Sequence, residues 1–390
     1  MGMYDYADRL KGLPFYLYPT IEETTDQAIQ KGRKIIDLST GDPKFATPDY
    51  VVKALQEACE DPATHHYGNV TGYAPFRKAI GQWYQKRFGV MLDPACEIVP
   101  FVGSKEGIAF LPLAFINPGD VVLIPDPGYP TYRYAAAFSN ARLETFPLRP
   151  TNNYEPDFDE IPEAIAREAK IIYLNYPNNP TAATVDKDFF KRAVRFAEKY
   201  RIIVAHDAAY SEVTFDGYRA PSLLEIDGAK EVGVEFHTLS KTFCMTGWRV
   251  GFAVGNRKII EGLLEVKRVS ASGHFLAIER AGVEALNQPP VELNRNNRAL
   301  AERRDLVIRE LRRFGIEVKP PKGSYYVWFP IPKERDSLSF VKKLILETGV
   351  ITFPGIGYGD NGEGYMRIAI VEDLSTIQEA LRRLEPYLKS

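Results

Sequence analysis

The middle of the chain alternates short apolar runs with longer stretches in which apolar positions recur at helical spacing. The apolar runs are residues 121–124, 171–174 and 202–205, and turn residues follow each of them. Residues 189–200, between the last two runs, carry apolar side chains at positions i, i+4, i+7 and i+11 of one helical face. Strands separated by helices predict an α/β fold with a mostly parallel central sheet that helices cover on both faces.

The pattern changes after about residue 285. Residues 287–290 form a break, and a long charged helix is predicted over 295–313. Short strands are predicted near 325–329 and 365–370 with a helix between them, which is typical of a smaller α+β domain. The sequence therefore predicts three parts: an N-terminal arm at 1–45 that contributes to the small domain, a large domain at 46–286, and a small C-terminal domain at 287–390.

Composition and charge restrict the possible partners. The chain has 390 residues, 45% hydrophobic and 26% charged, with a formal net charge of -2, so neither nucleic acid nor a membrane surface is expected as a partner. Its three cysteines are widely spaced and match neither a disulfide framework nor a zinc pattern. The five histidines form no spaced ligand pair, and we expect no metal. The first ten residues lack the apolar core of a signal peptide, so a cytoplasmic location is expected.

The strongest local signal surrounds Lys241. This lysine follows a strand predicted over 235–239 and lies in an apolar turn rich in hydroxyl groups, where partial burial would lower its pKa and make it a nucleophilic amine. Arg249 is eight residues further on, and together with Thr238 and Ser240 it offers groups that suit a phosphate. Taken alone, a lysine at a strand end is more often a solvated loop residue.

A carboxylate follows the next apolar strand. Asp207 comes two residues after the run at 202–205, where it faces a cleft if the sheet is parallel. Its best chemical use is to hold a ring nitrogen protonated, and Tyr210 can donate to an oxygen of the same ring. The alternative is an aspartate that caps a helix after the strand.

Two weaker signals lie at other strand ends. Asn179 follows the strand at 171–174 within a rigid turn that contains two prolines. Residues 103–107 are small or polar and open an apolar helix at 108–115, whose free N–H groups suit a phosphate. A surface turn and an ordinary helix start are the respective alternatives.

Considered together, these residues resemble one family. The order and spacing of five positions are similar to those of the class I/II aminotransferases among fold-type-I pyridoxal-phosphate enzymes: Asn179, Asp207, Tyr210, Lys241 and Arg249. The resemblance extends from residues 38–43 to residues 365–369, nearly the whole chain. Two departures affect a turn and a hydroxyl: Ala182 stands where the family commonly has glycine, and Thr238 stands where it has serine.

The resemblance implies pyridoxal 5'-phosphate as the cofactor and gives each position a role. Lys241 would anchor the cofactor covalently and act as the catalytic base. Asp207 would pair with the ring nitrogen, Asn179 and Tyr210 with the ring oxygen, and Tyr129 would stack on the ring. The groups around the phosphate would come from Ser104, Lys105, Thr238, Ser240 and Arg249.

The same resemblance implies how substrate and a partner subunit are engaged. Arg367 would bind the α-carboxylate of the substrate, with Asn179 beside it, and Gly41 would let the backbone approach that carboxylate. Tyr67 would reach the phosphate of the partner subunit. A homodimer with shared active sites is therefore expected.

The expected reaction transfers an amino group between an L-amino acid and a 2-oxo acid by a ping-pong mechanism, with 2-oxoglutarate and glutamate as one pair. Several motifs are similar to bacterial LL-diaminopimelate aminotransferases, although residues 66–73 and 269–275 look unlike that group. The alternatives are aminotransferases for aspartate, alanine, aromatic amino acids or N-succinyldiaminopimelate, and a lyase of the same fold. A regulator that senses an effector is a further alternative, but residues 1–40 are too few to supply a DNA-binding segment.

Overall fold

The computed structural model describes residues 5–11, 13, 17–332 and 336–389. Part of the predicted N-terminal arm, residues 1–4, 12 and 14–16, lies outside this description. The helices of the described ranges are α1 (Asp8–Lys11), α2 (Tyr18–Gln30), α3 (Asp49–Glu60), α4 (Ala74–Phe88), α5 (Ser104–Phe115), α6 (Thr131–Phe138), α7 (Glu163–Glu168), α8 (Lys187–Tyr200), α9 (Ala229–Val232), α10 (Leu239–Thr242), α11 (Arg257–Ser270), α12 (Leu276–Asn287), α13 (Val291–Arg313), α14 (Ser337–Thr348) and α15 (Leu374–Leu388).

The strands of the same ranges form three sheets. They are β1 (Ile36–Asp37), β2 (Ile98–Phe101), β3 (Val121–Asp126), β4 (Arg142–Pro147), β5 (Ala169–Asn175), β6 (Ile203–Asp207), β7 (Gly233–Thr238), β8 (Gly251–Gly255), β9 (Tyr326–Pro330), β10 (Val350–Ile351), β11 (Phe353–Pro354) and β12 (Tyr365–Ala369).

The largest sheet has seven strands in the order β2-β8-β7-β6-β5-β3-β4. The strands from β7 to β4 pair in parallel, whereas β8 is antiparallel to both of its neighbours. The predicted α/β architecture with a mostly parallel central sheet is therefore confirmed. In such a sheet, the loops that follow the parallel strands converge at one edge, which is where ligands bind.

Both faces of the central sheet are buried, which explains why its strands read as continuous apolar runs. Along β5, Ile172 and Leu174 enter one hydrophobic cluster whereas Ile171 and Tyr173 enter another. Successive side chains of a strand point to opposite faces. A strand buried on both sides needs apolar residues at every position.

The two smaller sheets lie within another hydrophobic cluster. In the order β11-β12-β9 the strands are antiparallel, and β1 pairs with β10 in parallel. This cluster combines Ile21 and Ala28 of α2 with apolar residues of α13, α14 and α15. The N-terminal helix thus packs with the C-terminal part of the chain. The domain limits at residues 45 and 286 stay a prediction.

Several predicted elements differ from the structure at their ends. The helix predicted over 295–313 begins at Val291, four residues earlier, directly after Pro290. The prediction that a strand ends at residue 239 was wrong, because β7 ends at Thr238 and Leu239 is the first residue of α10. Lys241 consequently lies in a short helix rather than in a turn, since the Thr238 hydroxyl accepts the Ser240 N–H and starts that helix.

Candidate active site

A cleft of about 400 Å³ lies at the carboxyl ends of the parallel strands. Twelve of the thirteen residues that the sequence singled out line it: Gly41, Ser104, Lys105, Tyr129, Asn179, Asp207, Tyr210, Thr238, Ser240, Lys241, Arg249 and Arg367. Tyr67 does not line it, and its side chain is 95% exposed on this chain. The residues lie far apart in sequence. The parallel strands of the large sheet bring most of them together, whereas Gly41 follows β1 and Arg367 lies in β12 of a smaller sheet.

Asn175 joins the ends of two neighbouring strands. Its side-chain amide donates to the Asp207 carbonyl oxygen at 2.7 Å, and its side-chain oxygen accepts the Asn179 N–H at 2.7 Å. The buried Asn175 side chain therefore fixes both the end of β6, which carries Asp207, and the turn that carries Asn179. Sequence reasoning passed over Asn175, although it is the last residue of a strand that faces the cleft.

Lys241 projects into the cleft with its amine close to the backbone of the N-terminal segment. The Nζ atom donates to the Gly41 carbonyl oxygen at 2.6 Å. Burial lowers the pKa of the Lys241 ammonium below its usual range, and nearby Tyr326 and Asp42 oppose that shift. An amine of this kind loses its proton more readily than an exposed lysine, as a nucleophile or general base requires.

Asp207 is buried, and both of its oxygens are held. Tyr132 donates its hydroxyl hydrogen to Oδ2 at 2.8 Å, and the Ala209 N–H donates to Oδ1 at 3.2 Å. Burial raises the pKa of Asp207, whereas the Tyr132 hydrogen bond lowers it. Tyr132, which stacks on Tyr173 at 4.8 Å between ring centroids, was missed by the sequence analysis, although it follows Tyr129 by three residues.

One end of the cleft is suited to an anion. Helix α5 begins there at Ser104, and the first N–H groups of a helix lack partners within the helix. Gly103 before it has φ +76, and an added Cβ would lie 2.5 Å from Nη2 of Arg249, so the backbone and the guanidinium approach closely. The buried Ser240 hydroxyl has no hydrogen-bond partner in the described structure. These groups form a cradle of donors.

The opposite end is built around Arg367, which is only 3% exposed. Its guanidinium carbon lies 3.9 Å from the Tyr326 ring centroid and 5.0 Å from that of Tyr358. Nη1 donates to the Asn179 side-chain oxygen at 2.7 Å, and Nη2 donates to the Ser39 carbonyl oxygen. The buried Nε atom has no partner among the described residues.

Two tyrosines meet between these ends. The hydroxyls of Tyr210 and Tyr326 are 2.8 Å apart, so Tyr210 already has one partner besides any ring oxygen that it binds. Tyr326 was not expected in the site. It reaches the cleft because β9 and β12 pair with Arg367 opposite Trp328 and Ala369 opposite Tyr326, a long-range pairing that local patterns do not reveal.

Two other site types find no support in the described ranges. These residues contain no group of three or more histidine, cysteine, aspartate or glutamate side chains that could hold a metal ion. Within the same ranges, no helix has the length and apolar character that a membrane crossing requires.

The comparisons with known proteins agree with this geometry. The pattern of the family "Aminotransferase class I and II" matches residues 33–384. The chain is similar to LL-diaminopimelate aminotransferases. It is 44% identical to the protein from Aquifex aeolicus, and the match covers 98% of this chain and 99% of that protein. It is 46% identical to the protein from Syntrophobacter fumaroxidans, and the match covers 97% of each chain. A substrate-bound structure of BacF from Bacillus subtilis has a TM-score of 0.94 at 36% identity, covering 99% of this chain and 98% of the other.

The fold and the cleft define a fold-type-I aminotransferase. The chain belongs to the aminotransferase class I and II family. The family resemblance of the five spaced residues is thereby confirmed, and so is the enzyme class.

Proposed function

We propose that the protein is a pyridoxal-phosphate-dependent aminotransferase that uses the cleft described above. The observation that carries the proposal is the juxtaposition of a partly buried amine, Lys241, with a buried carboxylate, Asp207, between two anion-binding ends. A cofactor with an aldehyde, a ring nitrogen and a phosphate fits this order of groups. The unpartnered Ser240 hydroxyl and the close approach of Gly103 and Arg249 are what a phosphate would complete.

The residues that hold the cofactor follow from their chemistry. Ser104, Lys105 and Thr238 join Ser240 and Arg249 at the phosphate end. Asp207 carries the negative charge that keeps a ring nitrogen protonated. Asp207 and Lys241 would hold the cofactor's ring between them, Tyr129 would pack against the ring, and Asn179 and Tyr210 would bind its oxygen.

Proton transfer is the task of Lys241. When bound, pyridoxal phosphate supplies a protonated ring that withdraws electrons from the substrate's α-carbon. Lys241 removes the α-hydrogen as general base and returns the proton elsewhere on the reacting system. Its depressed pKa favours the neutral amine that accepts this proton. The two half-reactions use the same lysine with an amino acid and then a 2-oxo acid.

Arg367 orients the substrate. Its guanidinium is buried, held on one side by Asn179 and Ser39, and its Nε–H is left for a ligand. A planar guanidinium forks onto a carboxylate, which a lysine does poorly. The α-carboxylate of an amino acid is the group that matches. Gly41 lines the same cleft, its carbonyl oxygen accepts a hydrogen bond from the Lys241 amine, and its missing Cβ lets the Tyr326 hydroxyl approach the backbone.

For the natural substrates we propose LL-diaminopimelate and 2-oxoglutarate. The support is the similarity to LL-diaminopimelate aminotransferases over nearly the whole chain. A second candidate class is the aromatic amino acids, because tyrosine and phenylalanine rings line the substrate side of the cleft: Tyr18, Tyr134, Tyr326, Phe353 and Tyr358.

Half-reaction spectra test this choice. The holoenzyme is mixed with single amino acids, and conversion of the cofactor to its amine form is followed by absorbance at several donor concentrations. We expect LL-diaminopimelate and glutamate to convert the cofactor most efficiently. If phenylalanine or tyrosine does so instead, the second candidate is correct, and release of elimination products without the amine form would indicate a lyase.

The quaternary arrangement belongs to the same proposal. We propose a cytoplasmic homodimer in which Tyr67 of each subunit reaches the phosphate of its partner. The nearly complete exposure of Tyr67 on this chain supports it. The division into an arm at 1–45, a large domain at 46–286 and a small domain at 287–390 is proposed with it, since α2 packs with the C-terminal helices.

A further inference from the structure

His274 lies in the segment between α11 and α12, and its side chain is buried outside the cleft. Its Nδ1 atom is 3.0 Å from Oε1 of Glu279, and its Nε2 atom is 3.2 Å from the Arg249 carbonyl oxygen. The other Glu279 oxygen accepts the Tyr73 N–H at 2.5 Å. One buried pair thus contacts both the arginine at the phosphate end and the segment that follows Tyr67.

The two neighbours of the ring are both hydrogen-bond acceptors. A carbonyl oxygen and an ionised carboxylate carry no hydrogen, and a neutral imidazole has only one N–H. Only a ring with protons on both nitrogens fills both contacts. The geometry therefore describes an imidazolium paired with the Glu279 carboxylate, and buried charges are found in such pairs.

The carbonyl that His274 contacts belongs to a residue in an unusual backbone conformation. Arg249 has φ +57 and ψ +52, the left-handed region that non-glycine residues adopt only at an energetic cost. A hydrogen bond to its carbonyl oxygen helps to hold this conformation. The direction of the Arg249 side chain toward Gly103 and the start of α5 depends on it.

The segment after Tyr67 is tied to the same place. A Cβ on Gly68 would lie 2.7 Å from the His274 carbonyl oxygen, so the two backbones are in contact. Together with the Glu279–Tyr73 hydrogen bond, this fixes residues 68–73 against the start of α12. The exposed Tyr67 stands at the end of that fixed segment.

Other charged groups near the pair are few among the described residues. Lys267 of α11 is buried, donates to the Pro100 carbonyl oxygen at 2.6 Å, and faces Glu279. Burial lowers the pKa of Lys267, whereas Glu279 and Glu106 raise it. The Glu279 carboxylate thus has a cation on two sides, and the His274 ring has the Arg249 main chain on its far side.

We propose that the His274–Glu279 pair is a positioning device that fixes the Arg249 main chain and the segment after Tyr67, so that phosphate affinity depends on the hydrogen bonds of the His274 ring to Glu279 and to the Arg249 carbonyl oxygen. This rests on the proposed function, since it concerns the phosphate of the same cofactor. His274 acts through Arg249 and touches no reacting atom.

The substitution Glu279→Gln removes the negative charge of Glu279 but allows the hydrogen bonds around His274 to be kept. In this variant the glutamine amide can donate to Nδ1 of a neutral ring, its oxygen can still accept the Tyr73 N–H, and Nε2–H still donates to the Arg249 carbonyl oxygen. We expect Glu279→Gln to bind pyridoxal phosphate within about twofold of the wild-type protein, because the variant retains all three hydrogen bonds.

The measurement is an absorbance titration of each apoprotein with pyridoxal phosphate at the same pH. A Glu279→Gln variant that binds pyridoxal phosphate more than about tenfold more weakly than the wild-type protein overturns the proposal. If the wild-type protein binds no pyridoxal phosphate at any pH, the proposed function fails instead, so the two failures are distinguishable.

A matched pair of His274 variants tests the contact to Arg249. Asparagine can replace the donor near Nδ1 but does not reach the Arg249 carbonyl oxygen, whereas glutamine places its amide near Nε2. Both variants lose the imidazolium beside Glu279, so thermal unfolding is expected to shift similarly. We expect His274→Asn to bind pyridoxal phosphate about three- to tenfold more weakly than His274→Gln, with equal affinities for pyridoxal, which lacks the phosphate. Equal affinities of the two variants for pyridoxal phosphate would contradict the positioning role.

Discussion

The two arginines of the cleft are held in different ways. Arg367 lies within β12, is 3% exposed, and is enclosed by the Tyr326 and Tyr358 rings and by hydrogen bonds to Asn179 and Ser39. Arg249 follows a short turn in a left-handed conformation, is exposed, and its Nη1 donates only to the Thr246 carbonyl oxygen in the described structure. One arginine is fixed before any ligand arrives, and the other is one donor among several.

This difference fits the two ligands that we propose. A cofactor that stays bound is held by many small contributions from a helix start, hydroxyls and a guanidinium, so losing one of them weakens binding moderately. A substrate that enters and leaves is oriented by one guanidinium, and its geometry is set in advance by the surrounding rings. Substitution of the two arginines should therefore separate substrate use from cofactor retention.

Apart from the loss of Lys241, the largest effect is expected for Arg367→Lys. Lysine keeps the charge but cannot fork onto a carboxylate, so kcat/KM for the amino acid should fall roughly 100-fold, or about 2.7 kcal/mol. Steady-state kinetics at saturating cofactor measure it. The affinity for pyridoxal phosphate should stay within about twofold. A variant that lost affinity for the cofactor rather than for the substrate would refute the assignment of Arg367 to the substrate and Arg249 to the cofactor.

A smaller effect is expected for Arg249→Gln. Removing one charge-assisted contact from the phosphate cradle should weaken pyridoxal phosphate binding by roughly tenfold, while Ser104, Ser240 and the α5 start retain the rest. Titration of the apoprotein gives the dissociation constant. With the cofactor at saturation, KM for amino acids should be unchanged. A large rise in that KM would show that Arg249 also contacts the substrate.

The smallest effect is expected for Tyr132→Phe. This change removes the hydroxyl that donates to Asp207, so the pKa of the Asp207 carboxyl should rise further and its ionised form should be lost at a higher pH. We expect kcat/KM to fall about three- to fivefold at neutral pH and its acidic limb to move to higher pH. A pH profile of the variant that coincides in shape with the wild-type profile would exclude this role of Tyr132.

The sequence predicted which strand precedes each of three site residues, because local patterns determine the strands. Asp207, Asn179 and Lys241 each lie at or after the end of a predicted strand, and a mostly parallel sheet brings such positions together. Arg367 was found by resemblance to the family. Its enclosure by Tyr326 and Tyr358 was not, because that enclosure depends on antiparallel pairing between β9 and β12, which no local pattern specifies.

The finer local structure was predicted less well. Lys241 was expected in a turn, but the Thr238 hydroxyl caps a short helix there, and a four-residue helix leaves no periodic signal. Tyr132 forms a hydrogen bond to Asp207, and Asn175 forms hydrogen bonds to Asp207 and Asn179. Residues that only support another site residue in this way can be recognised from the three-dimensional structure but not from a local sequence pattern. Tyr67 and the dimer remain predictions that need a second subunit.

Replacement of Lys241 by alanine tests the central claim most directly. The protein is reconstituted with pyridoxal phosphate, and transamination of glutamate is followed together with reduction by borohydride and mass analysis of the peptide that contains residue 241. We expect the wild-type protein to retain the cofactor covalently at Lys241 after reduction, and the variant to lose turnover by a factor of at least about 10⁴. A variant that still exchanged amino groups at a near-normal rate, or a wild-type protein labelled at a different lysine, would contradict the account.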